Sequence, residues 1–569
     1  MAFAEKKKAL VHAFSSRHAF VKALETRTDS ADGETERSRW KNEDLDVSPP
    51  AHRTWTVFDY AGFWASYGIS PGTWSVGSAL ISVGLKPWQA VVCLFVGYLF
   101  GGIGVVLHSR VAAVYHIGFP VEARVTFGLR GAYFPVVLRV LTALIWTSVS
   151  IVQGGYHTAV VLRCIFGDSY WNMHNTIPAS AGITLPLFIG LLVYWILTFP
   201  LLMVPLPRFR RHVEINSLLM PFAIGGLFIY CMVEGRGAPQ TSLSTVGGIY
   251  GPDLGWAMVA GINAIMGKTS TLVVNQPDIA RYARRRSAVL SQLVSLPVCN
   301  TVGATLGIFA TNAIHNRWGH LDWNPWTLSH DILDHRWGPG ARAALFFANG
   351  FFMYSNAVTD IGANIAPFGA DFMTLFPRWL NINRGMWIAY VLSVAINPWY
   401  ILASASGFLT FLGGYSIFLG PFLGIFVTDY FVLRRGNIDV ASLYAPGGAY
   451  WYTGGIHWRA LAAWVVAVAF VVPGFAAQFG HTLAGAAGWH HLYQFSWFYA
   501  VTIASVMYFA LSFVGEYAPR ERNMAFEALA KEASESEMRV SVVDIIEGET
   551  ASQEVSDKSA IPDSVDKKV

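Results

Sequence analysis

Apolar runs of about 20 residues, the length that crosses a hydrocarbon layer of roughly 30 Å, alternate along this chain with short connections rich in Gly, Pro, Asn and Arg. The pattern predicts twelve membrane-spanning helices at 57–83, 88–107, 134–162, 185–204, 213–233, 254–275, 288–312, 341–365, 385–397, 401–433, 460–479 and 493–514. The fold class is therefore an all-α polytopic membrane protein.

Two spans carry interruptions at matching depth. The first contains Ile69-Ser70-Pro71-Gly72 near its midpoint, and the sixth contains Gly267-Lys268-Thr269-Ser270 about a dozen residues from its start. Breaks five spans apart suggest two inverted repeats of five helices. Unwound backbone at the bilayer midplane exposes N–H and C=O groups to a ligand or ion. The plainer alternative is a packing kink at Pro71 and a close helix contact at Gly267.

Polar residues inside the apolar runs fall on helical faces. In the third span Trp146, Ser150, Gln153 and His157 are spaced four, three and four apart, so they share one face. Trp146 offers a flat surface for a heterocycle, and Ser150 and Gln153 offer a hydroxyl and an amide. Each residue alone also reads as core or interhelical glue, and His157 reads first as a structural histidine. The eighth span carries Asn349, Asn356, Asp360 and Asn364 on one face, with Ser355 and Thr359 beside it. Such groups are costly in hydrocarbon and are expected to point inward. Lys268 and Asp360 stand out as the strong ionisable pair deep in the apolar body, read equally as proton-coupling groups or as a structural ion pair. Asp59, Glu122, Glu214, Asp278 and Asp429, near helix ends, are expected to form salt bridges with Arg and Lys.

Charge divides the chain into regions. Of 76 Lys, Arg, Asp and Glu, 19 lie in residues 1–53 and 20 in residues 516–569, leaving the 462 residues between only about 8% charged. A soluble globular protein is excluded. The expected organisation is an N-terminal tail (1–53), a transporter core of ten helices (54–435), two further helices (436–515) and a C-terminal tail (516–569). If both tails are cytoplasmic, fifteen Arg residues fall in inner connections against five Lys and Arg in outer ones, which sets the orientation. The apolar stretch after Lys6-Lys7-Lys8 is too short for a signal peptide, so the first span is expected to be retained. The net charge of +4 comes from tails of mixed sign and gives no support for nucleic-acid binding. Cys93, Cys164, Cys231 and Cys299 lie more than 60 residues apart, which indicates neither a metal site nor a disulfide framework. In the tails, residues 520–539 suit a charged amphipathic helix, and Lys558, Lys567 and Lys568 are candidate ubiquitination sites for trafficking machinery, or simply solvating. The basic run from Arg281 to Arg286 reads as a topology signal, with lipid headgroup contact as a second meaning.

Several motifs resemble the nucleobase:cation symporter-1 family, and within it the fungal permeases of uracil, allantoin and uridine. They are Asn42-Glu43-Asp44-Leu45-Asp46 with Arg53-Thr54-Trp55, the run Tyr115-His116-Ile117-Gly118-Phe119-Pro120-Val121-Glu122 onward to Gly128, Pro277-Asp278-Ile279-Ala280-Arg281-Tyr282-Ala283, and Gly420-Pro421 with Asp429-Tyr430 before Arg434-Arg435. The resemblance implies a five-plus-five inverted-repeat core with broken first and sixth helices and two extra helices. It also implies a plasma-membrane setting and symport of a small heterocycle, with a proton in the fungal branch. By resemblance Trp146 is the substrate tryptophan, Asn364 the eighth-helix carboxamide, and 267–270 the sixth-helix break. The chain departs from relatives in having Ser150 where many have Gln, with Gln153 one turn on, and in having Lys268-Thr269 where a bulky group is common. Sodium-coupled relatives use a Ser-Thr pair on the eighth helix; here Val358-Thr359 loses one ligand, so sodium is disfavoured and Asp360 is expected to carry the proton.

The expected substrate-binding set is thus Trp146, Ser150, Gln153, Lys268, Thr269, Asn364, Ser70 and Gly72, with Asp360, Thr359 and Lys268 in coupling, no cofactor and no bound metal. Partners are expected to be the substrate, membrane lipids and trafficking proteins. Rival readings are an importer of thiamine or nicotinamide riboside with the same fold, and a non-transporting nutrient sensor. An enzyme is disfavoured because no nucleophile sits with a base on adjacent turns.

Overall fold

The computed structural model describes residues 40–41, 44–236, 248–396, 398–480 and 485–514. The amphipathic helix expected at 520–539 and the tail lysines Lys558, Lys567 and Lys568 lie outside the described residues.

The first span is broken where the sequence suggests. Helix α1 (Val57–Gly68) begins at a capping box in which Asp59 accepts from Thr56 N at 2.8 Å. It ends at Gly68, where a Cβ would lie 2.6 Å from the backbone of Cys299. Helix α2 (Pro71–Ser82) restarts with Pro71 in its first turn and Ser70 as cap, accepting from Thr73 N at 3.3 Å. Proline lacks the N–H that would continue the preceding turn, and serine satisfies a donor of the new one.

Helix α3 (Pro87–Tyr115) and the short α4 (Phe119–Phe127) lead to α5 (Tyr133–Phe166), the third span, followed by α6 (Leu185–Thr198) and α7 (Leu206–Glu234). The sixth span, α8 (Gly251–Ala280), is one continuous helix of 30 residues, and this corrects the expected break at 267–270. The polar run is accommodated without unwinding because Thr269 and Ser270 donate to Ile265 O and Met266 O of their own helix, at 2.9 and 2.8 Å. Gly267 serves contact: a Cβ there would lie 1.9 Å from Leu412 O on the tenth span. The plainer reading holds for the sixth span and the broken-helix reading for the first.

Helix α9 (Gln292–Trp318) is followed by α10 (Pro325–His335), a short helix that the apolar pattern missed, as it missed α4. The eighth span runs through α11 (Pro339–Asp360), a π-helical turn at Ile361–Ile365 and α12 (Ala366–Leu375), extending ten residues past its expected end. Helices α13 (Ile382–Ser393), α14 (Ala405–Val427), α15 (Trp458–Ala469) and α16 (Val472–Ala477) precede α17 (Ala486–Gln494) and α18 (Ser496–Leu511). The last two meet at 82°; α18 fills the span expected at 493–514, and α17 is a further short helix that the apolar pattern missed.

Among the described residues, eight helices are long and apolar enough to cross a membrane. The outer surface is correspondingly apolar, with Phe222, Ile196 and Val294 exposed, while Asn349, Asp371, Gln276 and Gln292 are fully buried. This inversion suits lipid as solvent, and the chain is a polytopic membrane protein. Helix α8 packs centrally against α3 and α14, and α5 packs against α6 and α11. Small residues allow the approach: Gly97 and Gly101 of α3 face Ile265 and Thr269 at distances that would leave a Cβ 2.7 and 2.6 Å away.

Both ends of the described chain lie at one face, capped by the segment before α1. Arg281 donates to Ser48 Oγ at 2.5 Å and to Asp44 O at 3.0 Å, and Trp55 N donates to Tyr282 O at 2.9 Å. Buried Arg124 donates to Trp40 O and Leu443 O at 2.9 and 3.0 Å.

Candidate functional site

Residues from five spans meet at mid-depth around the break of the first. Trp146 of α5 is half-buried beneath two aromatic rings of α14, with Phe411 at 5.6 Å and Tyr415 at 6.0 Å between centroids. Tyr415 is pinned by donating to Gly267 O at 2.6 Å, the carbonyl that the missing Cβ of Gly267 allows α14 to approach. Two turns along the same face of α5, Gln153 is buried, and among the described residues its amide makes no hydrogen bond. A Cβ at Gly72 would have only Gln153 Oε1 near it, at 3.7 Å, so this glycine leaves space between the break and the amide. Asn364, in the π turn of the eighth span, donates to Asp360 Oδ1 at 2.7 Å, and Ser150 reaches the same carboxylate. Trp146, Ser150, Gln153, Gly72, Asp360 and Asn364 thus surround one region.

Other expected site residues are placed differently. Ser70 is spent on the backbone, donating to Tyr67 O at 2.8 Å while capping α2. Thr269 turns toward Gly101 of α3, with its hydroxyl bonded inside α8, so it does not share the Trp146 face. Thr359 likewise donates to Ser355 O at 2.8 Å. Lys268 lies in a niche too tight for water, beside Trp64, Tyr98 and Asn300. Its ammonium donates to Thr73 Oγ1 at 2.7 Å and Tyr98 OH at 3.3 Å, and Thr73 in turn donates to Tyr67 O at 3.1 Å. The cation therefore sits at the carbonyl end of α1, where the helix dipole favours positive charge.

Lys268 and Asp360 form no ion pair among the described residues, which corrects the structural-pair alternative. Each has its own polar partners, Thr73 and Tyr98 for Lys268 and Asn364 for Asp360, and Tyr67 lies near enough to Asp360 to feel its charge. His157 accepts the role of a structural histidine: its Nδ1 pairs with Asn349 Oδ1 at 2.7 Å.

A stronger buried ion cluster escaped the sequence reading. Arg139 of α5 binds Asp371 of α12 through Nε and Nη2, binds Asp278 of α8 at 2.7 Å and lies over the Phe119 ring at 4.0 Å. Asp278 Oδ1 also accepts from Phe119 N at 3.0 Å. Asp371 fell beyond the expected end of the eighth span, and Arg139 lay one turn inside the third, so apolar flanks hid both. Among the carboxylates assigned to helix ends, Asp59, Glu214 and Asp429 pair with Arg210, Arg210 and Arg434. Glu122 is the exception: it is buried 3.4 Å from His108 Nε2, whose Nδ1 lies 2.7 Å from Val273 O. Asn275 was also missed; it donates to Ala363 O at 2.8 Å and ties α8 to the π turn that carries Asn364. Among the described residues no group of three His, Cys, Asp or Glu is placed to hold a metal, and all four cysteines are free.

A broken first span crossed by long polar-lined helices, with polar groups converging at mid-depth, defines a helical membrane transporter. Residues 47–499 match the family described as permeases for cytosine and purines, uracil, thiamine and allantoin, and the chain belongs to it, within the nucleobase:cation symporter-1 group. It is 32% identical to the uracil permease of Saccharomyces cerevisiae over 447 residues, which cover 77% of this chain and 70% of that protein. It is 31% identical to the allantoin permease of the same yeast over 481 residues, covering 83% and 75%. Its fold is that of Mhp1, a nucleobase-cation-symport-1 transporter: the inward-facing structure superposes with a TM-score of 0.67 at 20% identity, covering 87% of this chain and 99% of Mhp1. The closed structure with bromovinylhydantoin bound gives 0.65 at 21%. The protein is a transporter, not an enzyme.

Proposed function

We propose that the protein imports a nucleobase or related small N-heterocycle of the uracil, allantoin or uridine class by proton-coupled alternating access. The observation that carries this reading is the pairing of half-buried Trp146 with the unbonded Gln153 amide across the space left at Gly72. A planar ring stacked on Trp146 would present its ring N–H and carbonyl groups to Gln153, to Asn364 and to the backbone of the first-span break. Analogues lacking those groups would leave buried polar partners unpaired and be rejected. Phe411 and Tyr415 act as the outer cover. The Arg139–Asp278 contact, which joins α5 to α8, acts as the inner latch.

Asp360 carries the coupling proton. It contacts Asn364 and Ser150 of the site directly and has no cation beside it among the described residues, so gaining or losing a proton changes the charge that the pocket must bury. Lys268 acts on the break through Thr73 rather than on the substrate. Sodium is disfavoured because the Thr359 hydroxyl is bonded inside its helix and Val358 offers no side-chain oxygen. Twelve spans, arranged as a five-plus-five repeat (54–435) with two more (436–515), place both tails in the cytoplasm, and the plasma membrane is the site of action.

Uptake of a labelled heterocycle panel in a transport-deficient host tests this reading. A uracil-class substrate should accumulate, a protonophore should abolish accumulation, and replacing sodium should leave it unchanged. Sodium dependence, or binding without flux, would refute the mechanism.

A further inference from the structure

We propose that an arginine-lined cleft on the tail-proximal face holds the headgroup of an anionic phospholipid. The cleft, of about 340 Å³, opens beside Arg110 at the end of α3, Arg286 just before α9, and Tyr430, Phe431 and Arg435 after α14. It lies well apart from the Trp146 region and is used by no step of the transport reading; only its placement in the cytoplasmic leaflet rests on the orientation proposed above.

Each arginine ends a strip of side chains that face lipid. On α9 and the turn before it, Arg286 is followed at every fourth residue by Leu290, Val294, Val298 and Val302, all exposed and apolar. On α3, exposed Phe100 and Ile103 lead through half-buried Leu107 to Arg110 at spacings of three and four, hence on one face. After α14, exposed Phe431 and Val432 precede exposed Arg435 by about one turn. In a bilayer these strips are covered by acyl chains, and the cations at their ends lie at headgroup depth.

The charge in the cleft is also uncompensated. Arg110 Nη1 donates to Arg286 O at 3.1 Å, but among the described residues none of the three guanidiniums has a carboxylate partner. This contrasts with Arg139, Arg163, Arg210 and Arg434, which are all paired. Three like charges around one cleft repel each other unless an anion lies between them, and a guanidinium fork suits phosphate. A free phosphate would use the arginines alone. The apolar strips and the Phe431 ring at the rim favour a ligand with acyl chains, and anionic lipids are concentrated in the cytoplasmic leaflet.

Native mass spectrometry of the purified full chain with phosphatidylserine, against phosphatidylcholine as reference, tests the site. Wild type should retain phosphatidylserine preferentially. Each of Arg110→Gln, Arg286→Gln and Arg435→Gln should weaken retention about five-fold, and the three together should abolish the preference, while Arg211→Gln, at an exposed arginine elsewhere on this face, should not. Thermal melting in phosphatidylcholine alone reports whether each variant is folded, and exposed Arg435→Gln keeps the test informative if the triple variant is not. Undiminished preference in folded Arg435→Gln and triple variants would overturn the proposal. So would equal binding of water-soluble glycerophosphoserine, which would make the site one for a free anion. A large gain in lipid binding on removing residues 516–569 would instead assign the cleft to the acidic tail.

Discussion

Trp146 and Gln153 show what a residue does when the chain around it leaves it something to do. Trp146 meets two rings, both from α14, and the Gln153 amide has no partner within the described chain, whereas neighbouring His157 is bonded to Asn349. Stacking of a base on an aromatic ring is worth about 1–3 kcal/mol by alanine substitution, so Trp146→Ala should lower apparent substrate affinity by roughly ten-fold or more with surface expression intact; uptake kinetics alongside surface labelling check it. Asp322, in the connection between α9 and α10, has a different kind of strain. Burial, and then the charge of Asp331, push its carboxyl up from 3.8 to about 6. The folded state therefore disfavours the charged form: the penalty is absent below about pH 4, grows as pH rises toward 6 and is complete above it. Asp322→Asn should raise the thermal midpoint near neutral pH and leave it unchanged in acid, as melting curves across that range will show.

At the scale of elements, the two candidate breaks part ways for a reason visible in their local chemistry. The first has a proline that cannot donate and a serine that caps the restart; the sixth has hydroxyls that bond back into an intact helix. Gly267 acts as a contact point, since a Cβ would strike Leu412 O. Gly267→Ala should therefore cost about 1–3 kcal/mol by overpacking and weaken the Tyr415 anchor, which thermal melting and uptake together would register. The Arg139 cluster joins α5, α8 and α12. Arg139→Gln leaves the buried Asp371 without its cation, a loss of about 3–5 kcal/mol, and Asp278→Asn should be milder because Asp278 keeps some exposure and Phe119 N still finds an oxygen. Comparing the two variants by melting separates the structural pair from the latch.

Across the whole molecule, most described residues of the motifs that carry the family resemblance gather at one face, away from Trp146. Asp44, Asp46 and Ser48 are held by Arg281, Gly118 packs on Asp278 and Arg281, and Trp55 pairs with the backbone beside Ala283. The orientation proposed above puts this face in the cytoplasm, so tail epitopes should become accessible to antibody only after permeabilisation of intact cells; labelling of unpermeabilised cells would reverse the orientation. The cap at this face also explains why family is so much easier to read than substrate. The motifs report this cap, while Gly72, Lys268 and Gln153 lie at or beside the break.

The eight long apolar helices among the described residues, their apolar outer faces, the first break and the stripe on α5 follow from the sequence alone, because each depends on neighbours within a few turns: helical periodicity, a proline, a serine cap, a run long enough for the bilayer. The tertiary structure decided everything that depends on which helix faces which. It kept α8 whole because the polar side chains there found acceptors in their own helix and across the gap. It kept Lys268 and Asp360 unpaired by giving each its own polar partners. It also brought Arg139, Asp278 and Asp371 together from three distant segments, because a buried cation is tolerable only where carboxylates from other helices can reach it.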